Sequence, residues 1–317
     1  MNKLLRVGTR ESQLAVWQAE QVKSLLKKGG YEAELVFIKS EGDIDLKTPL
    51  YEMGVQGIFT RSLDIALLND RIDIAVHSMK DVPTQLPKGI TQAAVLPRGS
   101  YKDLLVVKPG TVNEKGLRSI EELFASHALP FTIATSSIRR KAQWLHKYPA
   151  DKIENLRGNV NTRLKKLNDS DWHGAIFAAA GLERIGLRPE HAIELDWMLP
   201  APAQGAIVVA CRENDANALG ACNEFNDEAT ALCTKIERDF LRTLLGGCST
   251  PISALAETKN NEVIFKGNIL SIDGRKKAEI EKRIKINNTE NIGQSLATEL
   301  LNNGGASIGE EIRNAAK

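Results

Sequence analysis

The sequence predicts an α/β protein built of two similar lobes and closed by a small C-terminal α+β domain with a three-stranded antiparallel sheet. Three observations lead there. Short apolar runs alternate with amphipathic helical stretches from Leu4 to Ala178, the pattern of strands joined through helical crossovers. Two distant strand-to-helix junctions, Thr9-Arg10-Glu11-Ser12 and Thr135-Ser136-Ser137-Ile138-Arg139-Arg140, repeat one design of hydroxyls and arginine at the turn. The last part of the chain instead carries three strand-like runs in succession, parted by Asn260-Asn261 and Asp273-Gly274 as in antiparallel hairpins.

In chain order, Leu4–Thr9 is a short buried strand. Leu14, Trp17, Val22 and Leu25 then mark one face of a helix that Gly29-Gly30 ends. A strand over Ala33–Lys39 leads into a long loop, Ser40–Gln56, of the kind that often serves as a lid. A helix from about Ile58 to Asn69 and a strand over Ile72–Val76 complete the first unit. The second unit begins with the strand Asp103–Val107, followed by a helix over Ser119–Ser126 and a strand over Phe131–Thr135. A helix to about His146 and the strands Ile153–Leu156 and Gly174–Ala178 follow. Leu199-Pro200-Ala201-Pro202-Ala203-Gln204-Gly205 is a rigid connector, and Ala206–Ala210 a strand returning to a sheet. Ala229, Leu232, Ile236, Phe240 and Leu244 mark a long helix that stops at Gly246-Gly247. Strands over Ile252–Glu257, Val263–Ile269 and Ala278–Ile286 and a helix over Ile292–Leu301 close the chain.

Composition narrows the function classes. The chain has 317 residues, enough for two or three domains, and a 42% hydrophobic content typical of packed globular proteins. With 42 Lys and Arg against 40 Asp and Glu the net charge is +2, which argues against a general binder of nucleic acid or membrane surface. Affinity for anions has to come from locally placed arginines. No run approaches the roughly eighteen apolar residues of a membrane span. The first residues hold too short an apolar core for a signal peptide. Four cysteines (Cys211, Cys222, Cys233, Cys248) form no Cys-x-x-Cys pair, and the five histidines show no metal spacing. A reduced, cytoplasmic protein without a metal is expected. No heptad or long apolar edge asks for a partner subunit, so a monomer is expected.

The candidate site residues fall where strands end, which is where ligands bind in open α/β sheets. His77-Ser78-Met79-Lys80-Asp81-Val82-Pro83 follows one strand and gathers a hydroxyl, an ammonium and a carboxylate. Thr135, Ser136 and Ser137 open a helix, and a helix N-terminus attracts anions. Arg139 and Arg140 in its first turn oppose the helix dipole, a cost best explained by something negative nearby. Arg157-Gly158-Asn159-Val160-Asn161-Thr162-Arg163 repeats the pattern, with Gly158 for a close turn and Asn159 as cap. Arg184 lies near a further strand end. Arginine at such places suits bidentate recognition of carboxylate or phosphate. Cys248, behind Gly246-Gly247 and before Pro251, sits on a sharp turn that exposes its sulfur. By itself that turn does not separate a reactive thiol from an inert one.

Taken in order, Thr9-Arg10-Glu11-Ser12, His77 to Pro83, Thr135 to Arg140, Leu156 to Arg163 and Gly246-Gly247-Cys248 resemble the porphobilinogen deaminase family, over essentially the whole chain. The resemblance implies three domains: 1–99 with 200–221, 100–199 and 222–317, the first two arranged like the lobes of a periplasmic binding protein. It implies the joining of four porphobilinogen units into the linear tetrapyrrole hydroxymethylbilane, with loss of ammonia. It places a dipyrromethane cofactor on Cys248 as a thioether. Asp81 would be the catalytic carboxylate, bonding pyrrole N–H groups and stabilising cationic intermediates. Arg10, Ser12, Ser78, Lys80, Thr135, Ser136, Ser137, Arg139, Arg140, Arg157, Gly158, Asn159, Arg163, Arg184 and Gln204 would bind cofactor and substrate. A substrate with acetate and propionate arms accounts for clustered arginines in a nearly neutral chain.

The chain departs from the family's pattern at three positions. Glu52 and Gln56 stand where lysine is common in the presumed lid, and Ala203 stands where glycine is usual. Two other classes compete. A non-catalytic two-lobed binder of a small polycarboxylate or phosphate explains the twin anion sites but not Asp81 among arginines. A cysteine-nucleophile acyl transferase lacks a local Cys/His pairing.

Overall fold

Why the two lobes have the same plan is visible in their strand pairing. The computed structural model describes residues 4–39, 60–108, 130–244 and 250–315. In the first lobe β1 (Leu5–Thr9), β2 (Ala33–Phe37) and β3 (Ile74–Ser78) are mutually parallel through β1. Between them run α1 (Gln13–Lys28) and α2 (Arg61–Leu68). Two further strands, β4 (Ile90–Val95) and β10 (Ile207–Arg212), finish the sheet in the order β2-β1-β3-β10-β4, with β10 antiparallel to both neighbours. The second lobe contains β5 (Asp103–Val107), β6 (Thr132–Ala134), β7 (Lys152–Glu154), β8 (Gly174–Ala178) and β9 (Ile193–Glu194). Its order is β7-β6-β8-β5-β9, again three parallel strands and one reversed strand beside them. The helices α3 (Ile138–Lys147), α4 (Val160–Asp169) and α5 (Ala179–Glu183) follow β6, β7 and β8.

The reversed strands are exchanged across the chain's path. β10 follows the second lobe in sequence yet lies in the first lobe's sheet, so the connector 195–206 crosses back. Its run Ile207-Val208-Val209-Ala210-Cys211 is buried throughout, as a central strand covered on both faces has to be. β4 and β9 are found at the outer edges, where Gln92 and Glu194 are exposed. Neither was expected, because Thr91-Gln92 breaks the apolar run of β4 and β9 is a two-residue edge.

After α6 (Ala216–Asn223), the long helix α7 (Glu228–Thr243) lies between the lobes and the third domain's own sheet. That sheet is β11 (Ile252–Lys259), β12 (Glu262–Leu270) and β13 (Lys277–Lys285), antiparallel throughout. Asn260 and Asn261, both at positive φ (51° and 61°), form the two-residue turn between the first pair. Phe240 of α7 meets Phe265 edge-to-face at 5.0 Å in the core of this domain. α8 (Ile292–Leu300) does not end the chain at Asn302-Asn303-Gly304-Gly305. Gly304 (φ 97°) makes a kink there, and α9 (Ala306–Ala315) runs on, putting Ile308 and Ile312 into the core. The expected lid 40–56 and the helix Ser119–Ser126 lie outside the described residues. So does Cys248.

Candidate active site

The sheet geometry brings the expected strand ends together. β1 ends at Thr9, and Ser12 then caps α1, its hydroxyl accepting from the Ala15 N–H at 3.4 Å. β3 carries His77 and Ser78 inside the sheet, two residues further than the apolar run implied, so that the turn itself is the 3₁₀ segment Met79–Asp81. Burial, and then the charge of Arg10, pushes the His77 imidazole down to about 4, which sets Arg10 near the end of β3 and leaves His77 neutral at pH 7.

In the second lobe, Ser137 caps α3 by accepting from the Arg140 N–H, and the Thr135 hydroxyl accepts from the Ser137 N–H. The Ser136 hydroxyl donates to the Leu156 carbonyl, tying the ends of β6 and β7 together. Asn159 caps α4, accepting from the Thr162 N–H at 2.9 Å. Gly158 before it has φ 115°, and a Cβ there would come within 2.7 Å of the Thr162 side chain, so only glycine fits this turn.

Several residues expected at the ligand also have hydrogen-bond partners within the chain. Asp103, fully buried at the start of β5, accepts from Arg139 (2.8 Å), from Arg140 (3.1 and 2.7 Å) and from Gln204 (2.9 Å). Burial would raise this carboxyl, but the two guanidinium groups and these hydrogen bonds hold it down at about 2. Arg139 also donates to the Leu199 carbonyl and Arg140 to that of Ile176. Gln204 further donates to the Tyr101 carbonyl, so it joins the connector to β5. Arg184 donates to the Gly205 carbonyl at 2.6 Å and lies 5.7 Å over the Trp17 ring of the first lobe. Ser78 pairs with the buried amide of Gln18 at 2.8 Å. Buried polar groups require partners, and these residues have found theirs within the chain.

What is left over is positive charge around one acid. Among the described residues, neither Lys80 nor Asp81 makes a side-chain hydrogen bond or ion pair. Burial pushes the Lys80 ammonium down to about 8; Asp81 and Asp103 counter this, while Arg140 and Arg139 add to it. Arg163 is lowered to about 10 by burial and by Arg140 and Arg157, with Asp81 opposing. Its Nε is buried and has no hydrogen-bond partner among the described residues. Lys80, Asp81, Arg140, Arg157 and Arg163 therefore share one electrostatic neighbourhood, drawn from the ends of β3, β6 and β7. Asp103 is already saturated, so among the described residues Asp81 is the acid left to face Lys80 and Arg163. A dipyrromethane carries acetate and propionate groups, and the buried, unpartnered Arg163 Nε and the ammonium of Lys80 are donors of the kind such groups require.

Sequence reasoning missed four residues that hold the site in place. Asp103 was visible only as a strand start; the signal for it was the Arg139-Arg140 pair, which needs a buried counter-charge. Glu237, fully buried in α7, binds Arg98 in a fork at 2.6 and 3.1 Å and also accepts from the N–H groups of Ala203 (2.6 Å) and Ala256 (2.7 Å). Arg238, next to it, donates to carbonyls of the Asp81 turn. Glu237 falls in step with Thr230, Cys233 and Thr234 on a second buried face of α7, and an acid on such a face signals a partner. Among the described residues, no helix is long and apolar enough to cross a membrane and no group of three or more His, Cys, Asp or Glu could hold a metal ion.

Residues 5–220 match the family description "Porphobilinogen deaminase, dipyromethane cofactor binding domain", and residues 231–302 match "Porphobilinogen deaminase, C-terminal domain". The chain is 38% identical to porphobilinogen deaminase of Pelobacter propionicus, covering 97% of each protein, and 38% identical to that of Desulforamulus reducens, covering 99% of each. It is 42% identical to the chloroplastic porphobilinogen deaminase of Oryza sativa subsp. japonica, over 86% of this chain and 75% of that one. A periplasmic binding protein of Salmonella typhimurium aligns at 12% identity and a TM-score of 0.39, over 72% of this chain and 94% of that one, a likeness too slight to carry an argument. The match of both family descriptions, over both lobes and the third domain, gives the chain its place: it belongs to the porphobilinogen deaminase family.

Proposed function

We propose that this chain joins four molecules of porphobilinogen into hydroxymethylbilane with release of ammonia, as a hydroxymethylbilane synthase acting as a cytoplasmic monomer. The observation that carries the reading is the surplus of positive charge around Asp81, together with family membership. Each porphobilinogen brings two carboxylates, so a growing chain meets this surplus in kind. When bound through Cys248, dipyrromethane supplies a free pyrrole α-carbon as the nucleophile. Lys80, Arg157, Arg163 and Arg10 hold carboxylates of cofactor and substrate, with the hydroxyls of Ser12, Thr135 and Ser136 beside them. Arg139 and Arg140, fixed on Asp103, act from behind through their charge, and Arg184 and Gln204 hold the lobe junction. Loss of ammonia and pyrrole coupling both place positive charge on the substrate's pyrrole nitrogen. Asp81, which no other side chain engages among the described residues, accepts from that N–H and stabilises the charge.

The domains follow the bounds 1–99 with 200–221, 100–199 and 222–317. A non-catalytic binder would need the cations but has no use for a lone carboxylate among them. The test is the intact mass of the purified protein. An excess of two pyrrole units, lost in Cys248→Ser, is expected. A wild-type protein that stays unmodified after cofactor reconstitution would sink the assignment.

A further inference from the structure

We infer that Arg238 is a positioning residue for Asp81: a side chain of the third domain's long helix that fixes the turn bearing the carboxylate. This rests on the function proposed above.

The turn Met79–Asp81 is one short piece of 3₁₀ helix, and it has little of its own to hold it. The Met79 N–H donates to the Ala206 carbonyl at 3.0 Å, and the Val82 N–H closes the turn on the Met79 carbonyl at 3.2 Å. Pro83 then has no N–H to give, so no continuing ladder secures the far side. The Asp81 side chain makes no hydrogen bond among the described residues, so the backbone alone sets where its carboxylate stands.

Arg238 supplies what the turn lacks. Its Nη1 donates to the carbonyls of Val82 (2.9 Å) and Met79 (3.3 Å), and its Nη2 donates to that of Pro83 (2.5 Å). One guanidinium thus clasps both ends of the segment that carries Lys80 and Asp81. Its planar fork suits several carbonyls at once in a way an ammonium does not. The adjacent Glu237 fixes α7 in turn, through Arg98 and the Ala203 N–H of the connector and through the Ala256 N–H of β11. The helix α7 is therefore locked at Glu237 to the lobe junction and at Arg238 to the Asp81 turn.

A cleft of about 880 Å³ lined by Met79, Thr84, Leu86, Lys88 and Arg238 opens beside this clasp. Water can enter it and take over the carbonyls if the guanidinium is removed. Loss of Arg238 should then loosen the turn without unfolding the lobe.

The experiment compares Arg238→Gln, Arg238→Lys and Arg242→Gln as full-length holoenzymes. Arg242 lies on the same helix, but its guanidinium pairs with Asp239 and is partly exposed. Intact mass gives the loaded fraction, and kcat and KM are expressed per loaded molecule. Hydrogen exchange reads the Val82 amide. For Arg238→Gln, kcat should fall on the order of 10- to 100-fold with KM within about threefold, the signature of a misplaced group rather than lost binding. Exchange at Val82 should quicken by about tenfold. Arg238→Lys should recover part of both effects, and Arg242→Gln should leave both near wild type.

A wild-type kcat per loaded molecule in Arg238→Gln, or unchanged exchange at Val82, overturns the inference. So does a loss of activity that only follows lost cofactor. If Arg238→Gln does not fold, Arg238→Lys decides by the same two readouts. A wild-type protein whose mass shows no pyrrole units refutes the proposed function instead, and the exchange measurement alone then judges the clasp.

Discussion

In the first lobe the turn after β3 carries Lys80 and Asp81; in the second, the turn after the equivalent strand β8 opens α5 with Ala179-Ala180-Gly181. The order of three parallel strands and one reversed neighbour is the same in both. The second lobe puts its charge at the ends of β6 and β7 instead, and it contains an aspartate, Asp103, that faces the arginines from the side. The two carboxylates are within electrostatic reach of the same cations, since both act on Lys80. Asp103 receives hydrogen bonds from two guanidinium groups and an amide, and it is fully buried. Asp81 is half-buried and has none of these among the described residues. An acid whose partners are complete holds the fold, and one whose partners are missing is available to a ligand.

The most direct way to break this comparison is to neutralise each acid. Asp81→Asn should lower turnover by about 10²- to 10⁴-fold, the usual range for loss of an acid–base or charge-stabilising group. Its urea midpoint should stay close to that of the wild type. A variant with near-normal turnover would show that the catalytic role lies elsewhere.

Asp103→Asn should do the reverse in kind. It leaves Arg139 and Arg140 buried without a counter-charge, which costs about 3–5 kcal/mol of stability in urea unfolding. Because the folded carboxyl is held at about 2 against an ordinary 3.8, its contribution is fully present above about pH 4 and is lost as pH falls through 2. A stability unchanged by the substitution would remove Asp103 from the fold's supports.

Lys80 gives a finer test of the charge surplus. Its ammonium, held near 8 against an ordinary 10.5, binds fewer protons in the folded than in the unfolded chain between those values. Stability of the cofactor-free protein therefore gains from this group as pH rises from about 8 toward 10.5. Capture of carboxylates has the opposite dependence, because it needs the charged form. KM for porphobilinogen should rise above pH 8, by about tenfold per unit once Lys80 is the group lost. In Lys80→Arg the guanidinium stays charged and the rise should move to higher pH. The same alkaline limb in both proteins would exclude Lys80 as its cause.

How far these differences could be read beforehand depends on the range of the interaction involved. The alternation of strands and helices, the cap at Asn159 and the returning strand β10 follow from local apolar runs and turn residues, and they were legible. What Arg139 and Arg140 touch was not. Their helix start announces a negative partner, but whether that partner is a ligand or Asp103 depends on how β5 is laid beside β8, a long-range pairing. Arg184, Gln204 and Ser78 have the same history, since the connector or α1 reaches them only through the tertiary fold. The clasp of Arg238 on the Asp81 turn joins residues 155 and more apart in sequence, beyond what any periodicity carries.

The connector between the lobes offers the smallest test. Ala203 has φ 62°, a conformation that favours glycine, and is fully buried. The left-handed conformation costs alanine about 1–2 kcal/mol. Against that, its methyl group is packed with Met79, Val82 and Val208, worth about 0.8 kcal/mol, and alanine restricts the unfolded chain relative to glycine by about 0.4–1 kcal/mol. The two sides nearly cancel, which is why alanine is tolerated at a position whose backbone favours glycine. The N–H of residue 203 still reaches Glu237 in either case, so the junction keeps its geometry. Ala203→Gly should shift the urea midpoint by the equivalent of less than about 1 kcal/mol and leave kcat unchanged. A gain of 2 kcal/mol or more would mean that the methyl group is a burden at the junction, and that the lobes are held under strain there.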